Sequence, residues 1–171
     1  MAHRKLEFIM PAPASVVFDA FHYHAWRVHW DSLVSRTQVE GGAPCPSVGA
    51  ISENNGAGLL GGISMRTRFV SYEPGVLAAA SMIEPSFPFS RWAASMRHAE
   101  APNGFSVLVY TYTFDVMPAR LKWALEPVVD SMFLRATRKR FQRLQVFLAG
   151  HAHEVREWQE KPLTVHATHT S

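Results

Sequence analysis

One stretch limits what this chain can fold into. Residues 118–149 read PARLKWALEPVVDSMFLRATRKRFQRLQVFLA, and Gly150 follows. It is the only long helical pattern in the sequence; most of the rest reads as short strands. A curved sheet needs one long helix to close over it, because each must bury an apolar face against another element. Leu121, Leu125, Val128, Met132 and Ala136 recur at three- and four-residue steps, which places them on one helical face. Leu134, Thr137, Phe141, Leu144 and Leu148 form a second stripe, offset around the axis. Pro127 would remove a backbone bond and clash with the preceding turn inside a helix. It is therefore expected to open the main helix at its first turn, with 119–125 as a short helical lead-in and Gly150 as the stop. From Pro127 to Ala149 such a helix runs roughly 34 Å at 1.5 Å per residue. A sheet of six or seven strands is roughly 24–29 Å wide, so the helix is long enough to cross it.

Taken in order, the chain opens with a strand at 5–10 (KLEFIM), ended by Pro11 and Pro13. Ser15 is placed to cap a helix that starts SVVFDAFHYHAW, with Val17, Phe18 and Phe21 on its apolar face. A short second helix near 26–33 has Asp31 or Ser32 as its cap. Strands are then predicted at 36–40, 48–53, 62–72, 76–83, 91–100 and 105–116. Glu73-Pro74-Gly75 and Pro102-Asn103-Gly104 are strong turn signals between them. Consecutive strands joined by tight turns make an antiparallel meander. The order is one strand, two short helices, about six strands and one long helix. Residues 1–150 are expected to form one domain, and 151–171 a polar tail whose first half extends the helix.

Composition removes several classes. A chain of 171 residues is long enough for one domain with a sizeable core. Cys45 is the one cysteine, so no intramolecular disulfide forms, which leans towards a cytoplasmic setting. No run of 18 apolar residues is present, so no transmembrane segment is expected. The net charge is only +3, carried by Arg135, Arg138, Lys139, Arg140 and Arg143 on the long helix. That cluster reads as a solvated helix face, and with no accompanying motif it gives no reason to expect nucleic acid.

The opening PAPASVVFDAF after a first strand, Trp26, the WDS at 30–32, the antiparallel meander, and the helix with Glu126-Pro127 ending in TRKRFQRLQVFLAG are similar to the START-like superfamily. That superfamily is also called SRPBCC or Bet v 1-like, and it includes polyketide cyclase/dehydrase-like members. The resemblance covers roughly residues 3–150. It implies an α+β helix-grip fold, a bent antiparallel sheet of about seven strands wrapped around a long C-terminal helix. It also implies an apolar cavity between the two, used to bind lipids, polyketides or aromatic compounds or to cyclise and dehydrate them. No catalytic residue transfers by position.

Strand alternation then selects a lining. Leu108, Tyr110, Tyr112 and Phe114 share a face; so do Ile63, Met65, Thr67 and Phe69, and likewise Trp92, Ala94, Met96 and His98. Arg66, Arg68, Arg91 and Arg97 fall on the opposite, wet faces. From the helix, Leu125, Val128, Val129, Met132 and Ala136 are expected to face them. The set is aromatic and methionine-rich, which suits an apolar ligand as well as it suits plain core packing. Tyr110, Tyr112 and His98 are the polar groups expected inside and the candidates for proton transfer. Glu84 shares a strand face with Ala78, Ala80 and Met82 but sits at a strand end, where solvent is expected.

Other signals lead less far. Gly56-Ala57-Gly58-Leu59-Leu60-Gly61 spells GxGxxG, but an alternating strand follows it where a dinucleotide site needs a helix. His22-x-His24 and His151-x-His153 point apart at i, i+2 on a helix, so no metal is assigned. Cys45 lies between two prolines and is not expected to be a nucleophile. No cofactor is expected. Three functions remain: a carrier of a hydrophobic small molecule, a cyclase, aromatase or dehydratase using the same cavity, and an interaction module with a filled core.

Overall fold

Each alternating segment forms a strand, and the long periodic segment forms a helix. The computed structural model describes residues 1–31, 34–56 and 64–161, leaving aside the side chains of 34–37. Ser32, Ile63, the glycine loop from Ala57 to Gly61 and the end of the tail lie outside the described residues. The elements are β1 (Ala2–Met10), α1 (Ala14–His22), α2 (His24–Arg27), β2 (Val34–Val39), β3 (Ile51–Gly56), β4 (Ser64–Glu73), β5 (Leu77–Met82), β6 (Phe89–Glu100), β7 (Ser106–Val116) and α3 (Lys122–Glu160). A 3₁₀ turn, Ala119–Leu121, leads into α3. The strands form one seven-stranded sheet in the order β1-β7-β6-β5-β4-β3-β2, with every neighbouring pair antiparallel. This is the α+β helix-grip architecture, a meander closed by one long helix.

Two turn signals act as their residues dictate. Gly75 has φ 76° at the β4–β5 turn, in the left-handed region where a Cβ is penalised. Asn103 and Gly104 both have positive φ at the β6–β7 turn. The Ser15 cap is not made: α1 starts after Pro13 with no side-chain cap. Instead the Ala14 N–H donates to Glu100 Oε1 at 2.9 Å, so a carboxylate from β6 serves the helix N-terminus.

Alternation along β7 is clean, with Leu108, Tyr110, Tyr112 and Phe114 all buried. They meet Met10 of β1, Val16 and Val17 of α1, and Phe141, Leu144 and Leu148 of α3 in the core. Along β4 the alternation breaks. The register to β5 shifts between Phe69 and Ser71, leaving Val70 as the extra, exposed residue. Such a bulge moves the following residues to the other face. Tyr72 thereby turns inward, against Phe18 and His22.

The helix differs most from expectation. It does not open at Pro127, which lies inside it, and Gly150 does not stop it; the first half of the tail extends it to Glu160. Glycine in a helix interior costs only about 1 kcal/mol, and the residues beyond it gain more. Val155 is fully buried, Trp158 packs edge-on to Tyr23 and Trp26, and Gln159 donates to the Ser15 carbonyl and to Asp19. The 39-residue helix is about 58 Å long at 1.5 Å per residue, about twice the sheet's width, and α1 and α2 hold its far end.

The inward face of α3 is also not the first stripe. Thr137, Phe141, Leu144 and Leu148 are buried, whereas Leu121, Val128 and Met132 are exposed. Val128 is nine residues from Thr137, and Met132 nine from Phe141. At 3.6 residues per turn that is about two and a half turns, the opposite side of the helix.

Candidate functional site

Between the sheet and the helices lies a cavity of about 160 Å³. β3 supplies Ser52, Asn54 and Gly56 to its wall; β4 supplies Met65, Thr67 and Phe69; β5 supplies Ala78 and Ala80. β6 contributes Phe89, Trp92, Ala94, Ser95 and Met96, and β7 contributes Tyr110. The helices close it with Phe21 and His22 of α1, Arg27 of α2, and Phe133 and Arg140 of α3. The small alanines of β5 and β6 leave the space, and the aromatic and methionine side chains around them bound it.

One end of this wall is charged. Asp31 Oδ2 accepts from Arg27 Nε at 2.7 Å, from Arg140 Nη2 at 2.6 Å and from Arg140 Nε at 3.2 Å. Asp31 and Arg140 are both more than nine-tenths buried. Burial alone would raise the Asp31 carboxyl, but Arg140 and Arg27 together hold it down at about 2. Both guanidiniums stack on the Phe21 ring, at 4.6 Å for Arg140 and 5.2 Å for Arg27. Arg140 thus corrects the reading of its cluster as solvated. Arg135, Arg138, Lys139 and Arg143 are exposed, but Arg140 lies three residues from Thr137 and four from Leu144 on the buried face.

The other polar groups are held in their neutral forms. Burial pushes the Tyr110 hydroxyl up to about 12. Burial also lowers His22 to about 3, while its Nδ1–H donates to the Phe18 carbonyl at 2.9 Å. Among the described residues no three His, Cys, Asp or Glu side chains group as metal ligands would.

Of the residues the sequence nominated, Met65, Phe69, Trp92, Met96 and Tyr110 line the cavity. Leu108, Tyr112 and Phe114 are buried on the same β7 face but pack into the core beside it. The Tyr112 hydroxyl donates to Asp130 Oδ1 at 3.3 Å, and Asp130 also accepts from Arg4 Nε at 3.0 Å. Tyr112 is therefore committed to a link between β1, β7 and α3, with Phe133 packed against its ring at 4.8 Å. Leu125 packs against the core without lining the cavity, and Val128 and Met132 face away from it. His98 is buried edge-on to Phe18, away from the cavity, and burial lowers it to about 4. Both its ring nitrogens lack a hydrogen-bond partner among the described residues. Glu84 is exposed and pairs with Arg66 at 3.3 Å.

Sequence reasoning did not nominate Phe21, His22, Arg27, Asp31 and Arg140 for the site. One signal was present: Arg27 and Asp31 stand at i, i+4, the spacing of a helical ion pair. Nothing local pointed from them to Arg140.

The seven-stranded antiparallel sheet closed by one long helix defines a helix-grip protein. The chain belongs to the family described as polyketide cyclase / dehydrase and lipid transport, whose model matches residues 1–146. None of the curated proteins matches it. Among solved structures it is similar to a protein of Thermus thermophilus, with TM-score 0.68 and 12% identity over 87% of this chain and 98% of that one. The protein XoxI of Bacillus cereus gives TM-score 0.64 and 13% identity over 94% of this chain and 100% of that one. Ara h 8.0201 gives TM-score 0.63 and 12% identity over 87% and 98%. At such identities these likenesses speak for the fold alone.

Proposed function

We propose that this protein binds a small, largely apolar molecule in the cavity between β3–β7 and the helices. The observation that carries the reading is open space of about 160 Å³ between sheet and helices, walled mostly by methionine, aromatic and alanine side chains. Interiors normally leave few voids larger than a water molecule. The family's lipid-transport and cyclase description points the same way. The volume sets the scale of ligand. An apolar cavity of about 150 Å³ accommodates one benzene ring, so a single ring or a short chain suits the space, whereas a sterol or a long acyl chain requires wall residues to move. A cytoplasmic setting fits the lone Cys45, which forms no disulfide.

The polar groups weigh for binding over cyclase or dehydratase chemistry. Catalytic acids and bases work best with pKa values near the working pH. Tyr110 holds its proton up to about pH 12, and His22 stays neutral down to about pH 3. Tyr112 and His98, the other two candidates for proton transfer, are not on the cavity wall.

The test is native mass spectrometry of freshly purified protein, followed by organic extraction. The expected result is a retained or readily taken-up compound of one-ring or short-chain size. A clean mass with no uptake from a panel of aromatic, short-chain, acyl and polyketide compounds overturns the reading.

A further inference from the structure

We infer that the cavity takes a small monoanion, an aromatic or short-chain carboxylate, with its oxygens held by the Arg140 guanidinium and the Tyr110 hydroxyl. This rests on the binding reading above and adds the chemical class of the ligand.

The first observation is charge. Arg27 and Arg140 are the only charged residues on the cavity wall among the described residues, and both are cations. They share Asp31, and through one oxygen, Oδ2. His22 beside them is neutral at any ordinary pH. A ligand carboxylate entering the cavity meets cations there, and a neutral ligand of the same shape gains nothing from their charge.

The second observation is unused donor capacity. Arg140 gives Nε and Nη2 to Asp31, and its Nη1 has no partner among the described residues. Its side chain is nonetheless nine-tenths buried and forms part of the wall. Tyr110 lines the same wall, its ring 5.2 Å from that of Phe141, the residue next to Arg140. Its hydroxyl likewise has no hydrogen-bond partner among the described residues, and it keeps its proton to donate. A carboxylate accepts from a guanidinium and a hydroxyl at once. The remaining wall is mostly apolar, with Ser52, Asn54, Thr67 and Ser95 on the strands, and of one-ring size, which fits the body of such an acid.

The test compares matched probes on the full chain by calorimetric titration at pH 7. Phenylacetate and 2-phenylethanol share a ring and a chain length and differ in charge. Hexanoate and hexanol repeat the comparison without the ring. The expected result is that each acid binds about tenfold or more tighter than its alcohol, the scale of a charge-assisted hydrogen bond. Arg140→Gln is expected to bring the acid-to-alcohol ratio down to about one, and Tyr110→Phe to reduce it. Equal affinities in the wild type overturn the anion subsite while the binding reading stands. An acid advantage that survives Arg140→Gln places the anion elsewhere and also overturns it. Binding of neither member of either pair removes this proposal, while uptake of some other compound in the mass-spectrometric panel keeps the broader reading. If Arg140→Gln does not fold, the wild-type acid-to-alcohol ratio and Tyr110→Phe still decide.

Discussion

At the scale of single residues, the Asp31 carboxylate is surrounded by the two guanidiniums whose charges it partly cancels. Replacing it leaves both buried without their anion. Asp31→Asn is expected to cost about 3–5 kcal/mol, read as a lower urea midpoint at pH 7; an unchanged midpoint contradicts the assignment. Its folded pKa of about 2 lies below the ordinary aspartate value near 4. The stability it contributes is therefore complete above about pH 4 and is lost as pH falls towards 2. The histidines act earlier. His22 and His98 are lowered to about 3 and about 4, so the unfolded chain takes up protons first as pH falls below about 6.5. Stability is expected to decline from there down. His98→Leu removes two sealed ring nitrogens without partners, so it should be neutral or stabilising at pH 7 and should flatten the decline between pH 6.5 and 4. Urea midpoints at pH 7, 6 and 5 check this, and an unaltered slope refutes it. Tyr112→Phe should cost about 1 kcal/mol for its bond to Asp130 and leave probe binding unchanged.

At the scale of elements, α3 shows how packing overrides local signals. Pro127 stands five residues inside the helix, where a proline removes the bond to the carbonyl four residues back. Only the first turn depends on that bond, so the helix tolerates its loss. Pro127→Ala is expected to stabilise the fold by about 1–3 kcal/mol, visible as a higher melting temperature; a lower one indicates that the proline sets the geometry of the lead-in. Past Gly150 the contribution reverses. Val155 is fully buried, so Val155→Ala should cost about 2 kcal/mol. A silent Val155→Ala would mean that the last turns of α3 do not dock on α1. Strand periodicity was legible because successive residues of a strand must point to opposite faces. The inward set of β7 and most of those of β4 and β6 followed from that alone. Helix periodicity relates residues to one another but not to the sheet. The Leu121–Ala136 stripe and the Thr137–Leu148 stripe were equally regular, and only docking could choose between them.

At the scale of the whole molecule, the cavity exists because small residues of β5 and β6 face α3 across a sheet that α1 and α2 close at one end. Filling it is the direct test. Ala80→Phe places a ring into the space and should abolish binding of every probe while leaving the fold intact, since added volume meets a void instead of packed atoms. Retained binding with the cavity filled would move the site elsewhere. The architecture itself was readable: a meander followed by one long helix has few ways to bury its apolar faces. The lining was readable on the strands, and Met65, Phe69, Trp92, Met96 and Tyr110 lie where alternation put them. The charged end was not, because Asp31 and Arg140 meet across 109 residues of chain. Alternation comes from the covalent geometry of a strand, so the sequence alone determined which residues of an unbroken strand share a face, but not the β4 bulge that turns Tyr72 inward. The rotation of α3, the passage of its helix through Gly150 and the meeting of Arg27, Asp31 and Arg140 depend on contacts between distant elements. Those contacts arise only when the chain packs, and the tertiary structure decided them.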